Sequence, residues 1–403
     1  MRILKGAALI AAFTAAVPAW AETITVEAGE GAQERLQEAL ILAAPGDEIV
    51  LGAGRFALSD GLSLDVDNVT LRGAGTDESV LDFTGQQDAG EGLLVTSDNV
   101  TLRDFAVENP KGDGIKSKGA DNIVYHKIRV TWTGGPLSTN GAYGIYPVES
   151  TGVLVDSSMV SGASDAGIYV GQSRDITVRG SLVQYNVAGI EIENSRNALV
   201  EGNLATHNTG GILVFDLPGL PVMGGGDVKV VGNLVTTNDT ANFAPPGNIV
   251  GGVKRGTGIL VMANENVLID GNLLDTNDTA QIMVVAYTLP FTDERYNPYP
   301  RGVVVGENLY QNGGSNPDLE GGKELAEAFG GALPAVMWDG LGDGQTPALL
   351  VMAGTPGWSV NLPRQGADPA EGTPGPLDVP APAGPILDGH VGAPEELLAR
   401  IAE

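Results

Sequence analysis

The chain of 403 residues has no cysteine. That excludes a disulfide framework, a thiolate metal site and a lipid anchor attached to a cysteine behind a leader. Aromatic residues make up only 5% and basic residues number 22 against 50 acidic ones, a formal net charge of −28. Nucleic acid and anionic membrane are poor partners for such a field, whereas cations at carboxylate clusters are favoured ones. After the first 21 residues no apolar run reaches the length of a membrane span, so no membrane insertion is expected.

The first 21 residues do form a recognisable unit. Arg2 and Lys5 precede an apolar run over 7–17, and Ala19-Trp20-Ala21 supplies a small-x-small cleavage site. This reads as a secretory signal peptide, which predicts an exported protein, periplasmic or secreted. Its removal shifts the net charge from −28 to about −30.

In place of the missing residue types the chain has glycine, 58 residues of it, and a repeat. Gly-Ile pairs at Gly167 and Gly189 begin segments 22 residues apart, and Gly-apolar anchors recur at Gly92, Gly114, Gly144, Gly211 and Gly258. A fixed period of this size makes each repeat one supersecondary unit stacked on the next. The coil from Gly189 holds three short apolar runs, at 190–192, 198–200 and 203–204, separated by polar turns. Three strands per coil predict a triangular rung. Stacked rungs form parallel sheets, with Ile168, Ile190, Ile212 and Ile259 above one another on the inside at about 4.8 Å. Asparagines at 186, 208, 238, 277 and 312, and at 203, 233, 272 and 308, fall at turns where stacked amides can bond from rung to rung.

The expected organisation is a signal peptide over 1–21, an N-terminal cap over 22–60, a parallel β-helix over 61–315 and an irregular C-terminal extension or cap over 316–403. The cap contains a strand and an amphipathic helix around 32–43, which would cover the apolar end of the stack. Residues 362–390 are rich in Pro, Gly and Ala, and a short helix is expected at 394–401.

The coils, the P-G-D-E-I-V-L stretch at 45–51 and the N-V-T-L-R motifs at 68–72 and 99–103 resemble the right-handed parallel β-helix repeat proteins of the pectate-lyase-like superfamily, over roughly 24–315. The strings GDGIK, GIYPV, DAGIYVGQS and GIEIENS also resemble a narrower exported group with no assigned activity. The resemblance implies an all-β, right-handed single-stranded solenoid. For function it implies a range: lyases, hydrolases, epimerases and non-enzymatic proteins share the fold. The D-P-H-D element of mannuronan epimerases, the G-H-G, N-T-D and R-I-K set of polygalacturonases and the pectate-lyase Asp/Arg signature are not found. No active site carries over residue by residue.

Alternation within strands nominates the outward face. Aligning the anchors gives one column of Lys116, Tyr146, Tyr169, Glu191, Leu213 and Leu260, and a second of Lys118, Val148, Gly171, Glu193, Phe215 and Met262. Asp113, Tyr143, Asp165 and Asn208 precede the glycines. Two groupings follow. Lys116, Lys118, Tyr146, Tyr169 and Asp165 suit a uronate, whose carboxylate a lysine neutralises while a phenolate or lysine takes the C5 proton. Glu191, Glu193 and Asp216 suit acid/base hydrolysis or a Ca²⁺ site of hard oxygen ligands.

Insertions at 133–143 and 239–256 precede the anchored strand, and those at 217–226 and 287–300 follow it. They predict a walled groove with Trp132, Tyr143, Phe215, Asp216, Phe291 and Tyr296 as substrate-binding residues. The expected partner is a polysaccharide or oligosaccharide, acted on by a lyase, C5-epimerase or hydrolase. The alternative is a non-catalytic periplasmic scaffold that binds a glycan or a protein partner.

Overall fold

The computed structural model describes residues 21–402, apart from 89, 384–386 and 388. The expected signal peptide lies outside the described residues except for Ala21. The strands form two sheets, one of 20 strands that bends into two faces and one of 12 strands built on the glycine anchors. Within the coils neighbouring strands run parallel, and the inward isoleucines stack in the expected register: Ile145, Ile168, Ile190, Ile212, Ile259 and Ile282 face one another in turn. All six are fully buried in one continuous core.

Close packing of rungs explains the anchor glycines. A Cβ on Gly167 would fall 2.9 Å from the carbonyl oxygen of Gly189; on Gly189, 2.5 Å from that of Gly211; on Gly211, 2.6 Å from that of Gly258. No side chain fits where each strand start leans on the next rung.

The corners are held by two buried amide ladders. Asn186 Nδ2 donates to Asn208 Oδ1 at 3.0 Å, Asn208 to Asn238 at 3.1 Å and Asn238 to Asn277 at 2.9 Å. In parallel, Asn203 donates to Asn233, Asn233 to Asn272 and Asn272 to Asn308, at 2.9–3.0 Å. Asn312 is not a rung of the first ladder. It is exposed, has φ 42° and takes the left-handed corner position filled by Tyr185, His207, Thr237 and Thr276 in earlier coils. The ladder ends instead on Gln281, whose Oε1 accepts from Asn277 Nδ2 at 2.8 Å.

Strand Thr23–Val26 pairs with Glu48–Leu51, and helix Ala32–Leu42 buries Ala32, Leu36, Ala39 and Leu40 against the first coil. Coiling already includes strands Gly54–Ala57 and Leu62–Leu64. At the other end it continues past 315: Val336–Trp338, Leu349–Val351 and Gly357–Ser359 extend both sheets, around a short helix, Gly322–Ala328. The chain then returns along the outside of the solenoid. Helix Glu395–Ala399 sets Leu397 against Val124 and Leu154, and Arg400 Nη1 donates to the Asn122 carbonyl at 2.8 Å. No helix among the described residues is long and apolar enough to cross a membrane.

The Asn208 side chain makes four ladder bonds, accepting from Asn186 N and Nδ2 and donating to Asn238 Oδ1 and the Val183 carbonyl. Asn208→Ala leaves these buried partners unsatisfied and should cost about 1–3 kcal/mol or more in urea unfolding, against less than about 0.5 kcal/mol for Asn312→Ala. Equal effects would contradict the ladder's structural role.

Candidate active site

Strand register places the candidates as the alternation requires. Lys116 faces Tyr146, Tyr169 faces Glu191, and Glu191 faces Leu213; in the second column Lys118 faces Val148, Gly171 faces Glu193, and Glu193 faces Phe215. The face is not an open groove, however. Asp165, Glu191 and Glu193 are 3%, 1% and 6% exposed, and Tyr169, Phe215 and Asp216 are equally buried.

The insertions are what cover them. Over 239–256 a 3₁₀ turn, Ile249–Gly252, is clasped by Asn242 Nδ2, which donates to the carbonyls of Val250 and Val253. This loop lays Val253 on the cluster of Ala166, Tyr169, Ala188, Leu213 and Phe215, and Asn248 Nδ2 donates to Asp165 Oδ2 at 3.0 Å. From the opposite edge, Asn194 Nδ2 holds the carbonyls of Leu217 and Val222, at 3.0 and 3.1 Å.

Three expected rim residues are therefore covered and do not line an open groove. Trp132 is buried in the main core, and its Nε1 donates to the Pro110 carbonyl at 2.8 Å. Tyr296 is buried and donates its hydroxyl to the Asp216 carbonyl at 2.7 Å, packed edge-on against Tyr287 and Phe291. Phe215 lies under the roof. Phe291 remains half-buried in the Tyr287 cluster. What stays together at the site is a tyrosine group, with Tyr143 4.5 Å from both Tyr146 and Tyr169 by ring centroids, and Tyr146 4.9 Å from Tyr169 in an edge contact.

The lysines are placed apart from the acids. Lys116 Nζ pairs with Glu91 at 2.9 Å and with Asp113 at 3.7 Å, and sits over the Tyr146 ring. Burial opposes its charge, but Glu91 and Asp113 raise its pKa overall. Lys118 is exposed beside Glu149 and reaches none of the site. Asp165 lies between the two groups: its charge acts on Glu191, and it feels that of Asp113, which pairs with Lys116.

Burial therefore governs the carboxyls. It pushes Asp165 up to about 7, with Tyr143 opposing and the Asp113 charge adding to the rise. Glu193 also rises to about 7, through burial and the charges of Asp165 and Asp216, with Tyr169 opposing. Glu191 is raised well above the ordinary range by burial, Asp165 and Glu193. Two atoms show the cost. Asp165 Oδ1 and Glu191 Oε1 are buried without any hydrogen-bond partner.

Burial also raises the pKa values of Tyr143 and Tyr169 far above that of a free phenol, so neither is a base at neutral pH. The Tyr169 ring folds over Gly171, where a Cβ would collide with it, and this brings its hydroxyl within bonding reach of Glu193. The sequence places Gly171 only as one member of the second column. Its role emerges only from the side-chain path of its neighbour.

A Ca²⁺ site of Glu191, Glu193 and Asp216 does not fit. Among the described residues no three Asp, Glu or His side chains are placed to hold a metal ion. Asp216 already accepts from Gly225 N at 2.7 Å and Asn264 Nδ2 at 2.8 Å. Asn248 is the site residue that sequence reading missed, although it falls within the insertion at 239–256 that was nominated as functional.

The family model for a right-handed β-helix region matches residues 63–218. Solved structures agree on the fold. The A-module of the mannuronan C-5 epimerase AlgE4 from Azotobacter vinelandii aligns with TM-score 0.56 and 14% identity, over 82% of this chain and 94% of that one. DFA-IIIase from Arthrobacter chlorophenolicus A6, in complex with GF2, aligns with TM-score 0.52 and 12% identity, over 82% and 95%. The N-terminal fragment of the bacteriophage Phi29 gene product 12 aligns with TM-score 0.53 and 13% identity, over 81% and 60%. No functionally curated protein matches the sequence.

The raised carboxyls make stability depend on pH with a definite sign. In the fold Asp165 and Glu193 hold their protons up to about 7, whereas unfolded they release them near 4. Their contribution is complete below about pH 4 and is lost as pH rises to about 7, at a cost on the order of a few kcal/mol. Asp156 behaves oppositely: burial opposes its charge, but bonds from His126 and Arg179 hold it at about 2, so its contribution fades only in strong acid. Thermal unfolding should therefore occur several degrees higher at pH 5 than at pH 8, with Glu191→Gln narrowing the gap by stabilising the protein at pH 8. A flat profile between these pH values would contradict the assignment.

Proposed function

Taking the chain as a right-handed parallel β-helix protein, we propose that it hydrolyses a glycan with Asp165, Glu191 and Glu193 as its acid/base carboxyls. The observation that carries this reading is the trio itself, buried within reach of one another's charge, with an oxygen of Asp165 and one of Glu191 left unsatisfied. Natural folds rarely retain such a cost without a chemical use for it. Acids titrating near neutrality can be divided between proton donor and base in one site, which is what cleavage of a glycosidic bond by water requires. Glu191 and Glu193 are two positions apart on one strand, about 6.5–7 Å by backbone spacing. That falls near the lower end of the range for a pair that activates a water between them.

Elimination or epimerisation of a uronate needs different parts. It needs a cation free to neutralise the sugar carboxylate and a base for the C5 proton. Lys116 is already paired with two acids and held protonated, Lys118 is remote, and the phenols are pushed away from ionisation. The related folds include carbohydrate-acting enzymes, which supports a glycan substrate without selecting the chemistry.

Incubation with a panel of neutral, basic and acidic oligosaccharides should yield new reducing ends without the unsaturated product that absorbs at about 235 nm. Glu191→Gln and Glu193→Gln should each lower kcat by at least about 10²-fold with the fold retained, while Lys116→Ala stays within a few-fold. Accumulation of unsaturated product, or turnover that depends on Lys116 and not on the glutamates, would overturn hydrolysis. No product on any glycan would favour the scaffold.

We further propose that the protein is exported and cleaved after Ala21. The purified extracytoplasmic form should begin at Glu22 by intact mass; recovery of uncleaved protein in the cytoplasm would refute export.

A further inference from the structure

The acids at the centre of the site have no basic partner. Among the described residues no ion pair includes Asp165, Glu191 or Glu193, and burial and each other's charges are what raise their pKa values. The cations that face the site from neighbouring elements are occupied: Lys116 by Glu91 and Asp113, and Arg196 and Arg301 by Glu265. On the roof, Arg255 lies beside Asp278 and Lys254 is exposed.

Two acceptor atoms thus lack donors, Asp165 Oδ1 and Glu191 Oε1, in side chains that are 97% or more buried. Beside them lie the rings of Tyr143, Tyr146 and Tyr169 in mutual contact. Carboxyl oxygens short of partners next to aromatic faces form a site for a cation that carries N–H groups once they give up their protons. An anionic sugar would find no cation free to pair with it here, and a neutral one could not draw the protons from these acids.

We propose, on the glycan-hydrolysis reading above, that the site selects a basic substrate: an amino sugar whose ammonium donates to Asp165 Oδ1 and Glu191 Oε1 while its ring lies against the tyrosines. Entry requires the Asn248 loop to lift, since Asn248 holds the other oxygen of Asp165. At pH 6 Asp165 still holds most of its proton and Glu191 is raised well above the ordinary range, so capture of an ammonium between them should expel protons into the buffer.

The test is titration calorimetry of the full mature chain at pH 6, in two buffers of different ionisation enthalpy. The probes are a glucosamine trisaccharide, its fully N-acetylated counterpart and a galacturonate trisaccharide, with release of reducing ends followed in parallel. Expected is binding of the glucosamine trisaccharide at least tenfold tighter than either of the others, with net proton release. Glu191→Gln and Asp165→Asn should each weaken it at least tenfold while unfolding no earlier at pH 6; Glu193→Gln serves if either fails to fold.

Equal or tighter binding of the acetylated or galacturonate probe, binding without proton release, or no binding at all would overturn the proposal. The two readings fail separately. Glucosamine bound but never cleaved ends the hydrolase reading and leaves the cation site standing; cleavage of acetylated and basic probes alike does the reverse.

Discussion

Everything in this molecule depends on the contact of one rung with the next at strand spacing. Parallel pairing fixes the repeat of backbone atoms, and at the anchor glycines the fit is so close that a Cβ would meet the neighbouring carbonyl. The asparagine ladders repeat the same geometry at the corners, where each amide accepts from one rung and donates to the next. Because each rung is in register with the last, every outward position becomes a straight column. Chemistry on the surface is therefore laid out as a list read along the axis.

That regularity supplies the columns but not a pocket. The pocket comes from departures from the period: the insertion at 239–256 brings Asn248 and Val253 across the sheet, and the one after Asp216 is held down by Asn194. Their effect is electrostatic as much as steric. The same glutamates on a bare strand would be solvated carboxylates; roofed over, Glu193 keeps its proton up to about 7 and Glu191 is raised well above the ordinary range. Lys116, three strands away, remains an ordinary paired ammonium because Glu91 and Asp113 reach it.

The site thus carries a cost that the stack must absorb. One continuous core runs from Val26 to Val351, and the ladders add buried hydrogen bonds at the corners of successive rungs. A solenoid suits this division, since strain in the coils that carry Asp165, Glu191 and Glu193 is shared only with nearest neighbours. The C-terminal segment adds a tie between distant coils, with Ala393 N donating to Thr177 and Arg400 reaching Asn122.

The Gly-Ile spacing alone determined the coil, the inward isoleucines and the membership of both outward columns, because a period and an alternation are local properties that stacking merely repeats. Asn312 falls one residue short of the ladder, since amide ladder and left-handed corner are adjacent and both favour asparagine. Trp132 and Tyr296 lie buried where the sequence suggests a rim, because an aromatic in a loop carries no local sign of whether the loop lies open or folded down. Only the tertiary structure decided that the charge of Asp165 reaches Glu191 while Lys116 is held by Glu91 and Asp113, that Gly171 makes room for the Tyr169 ring, and that Asp165, Glu191 and Glu193 are buried. Those facts depend on where long insertions come to rest and on which charges share a desolvated space, and neither is written in any period of the chain.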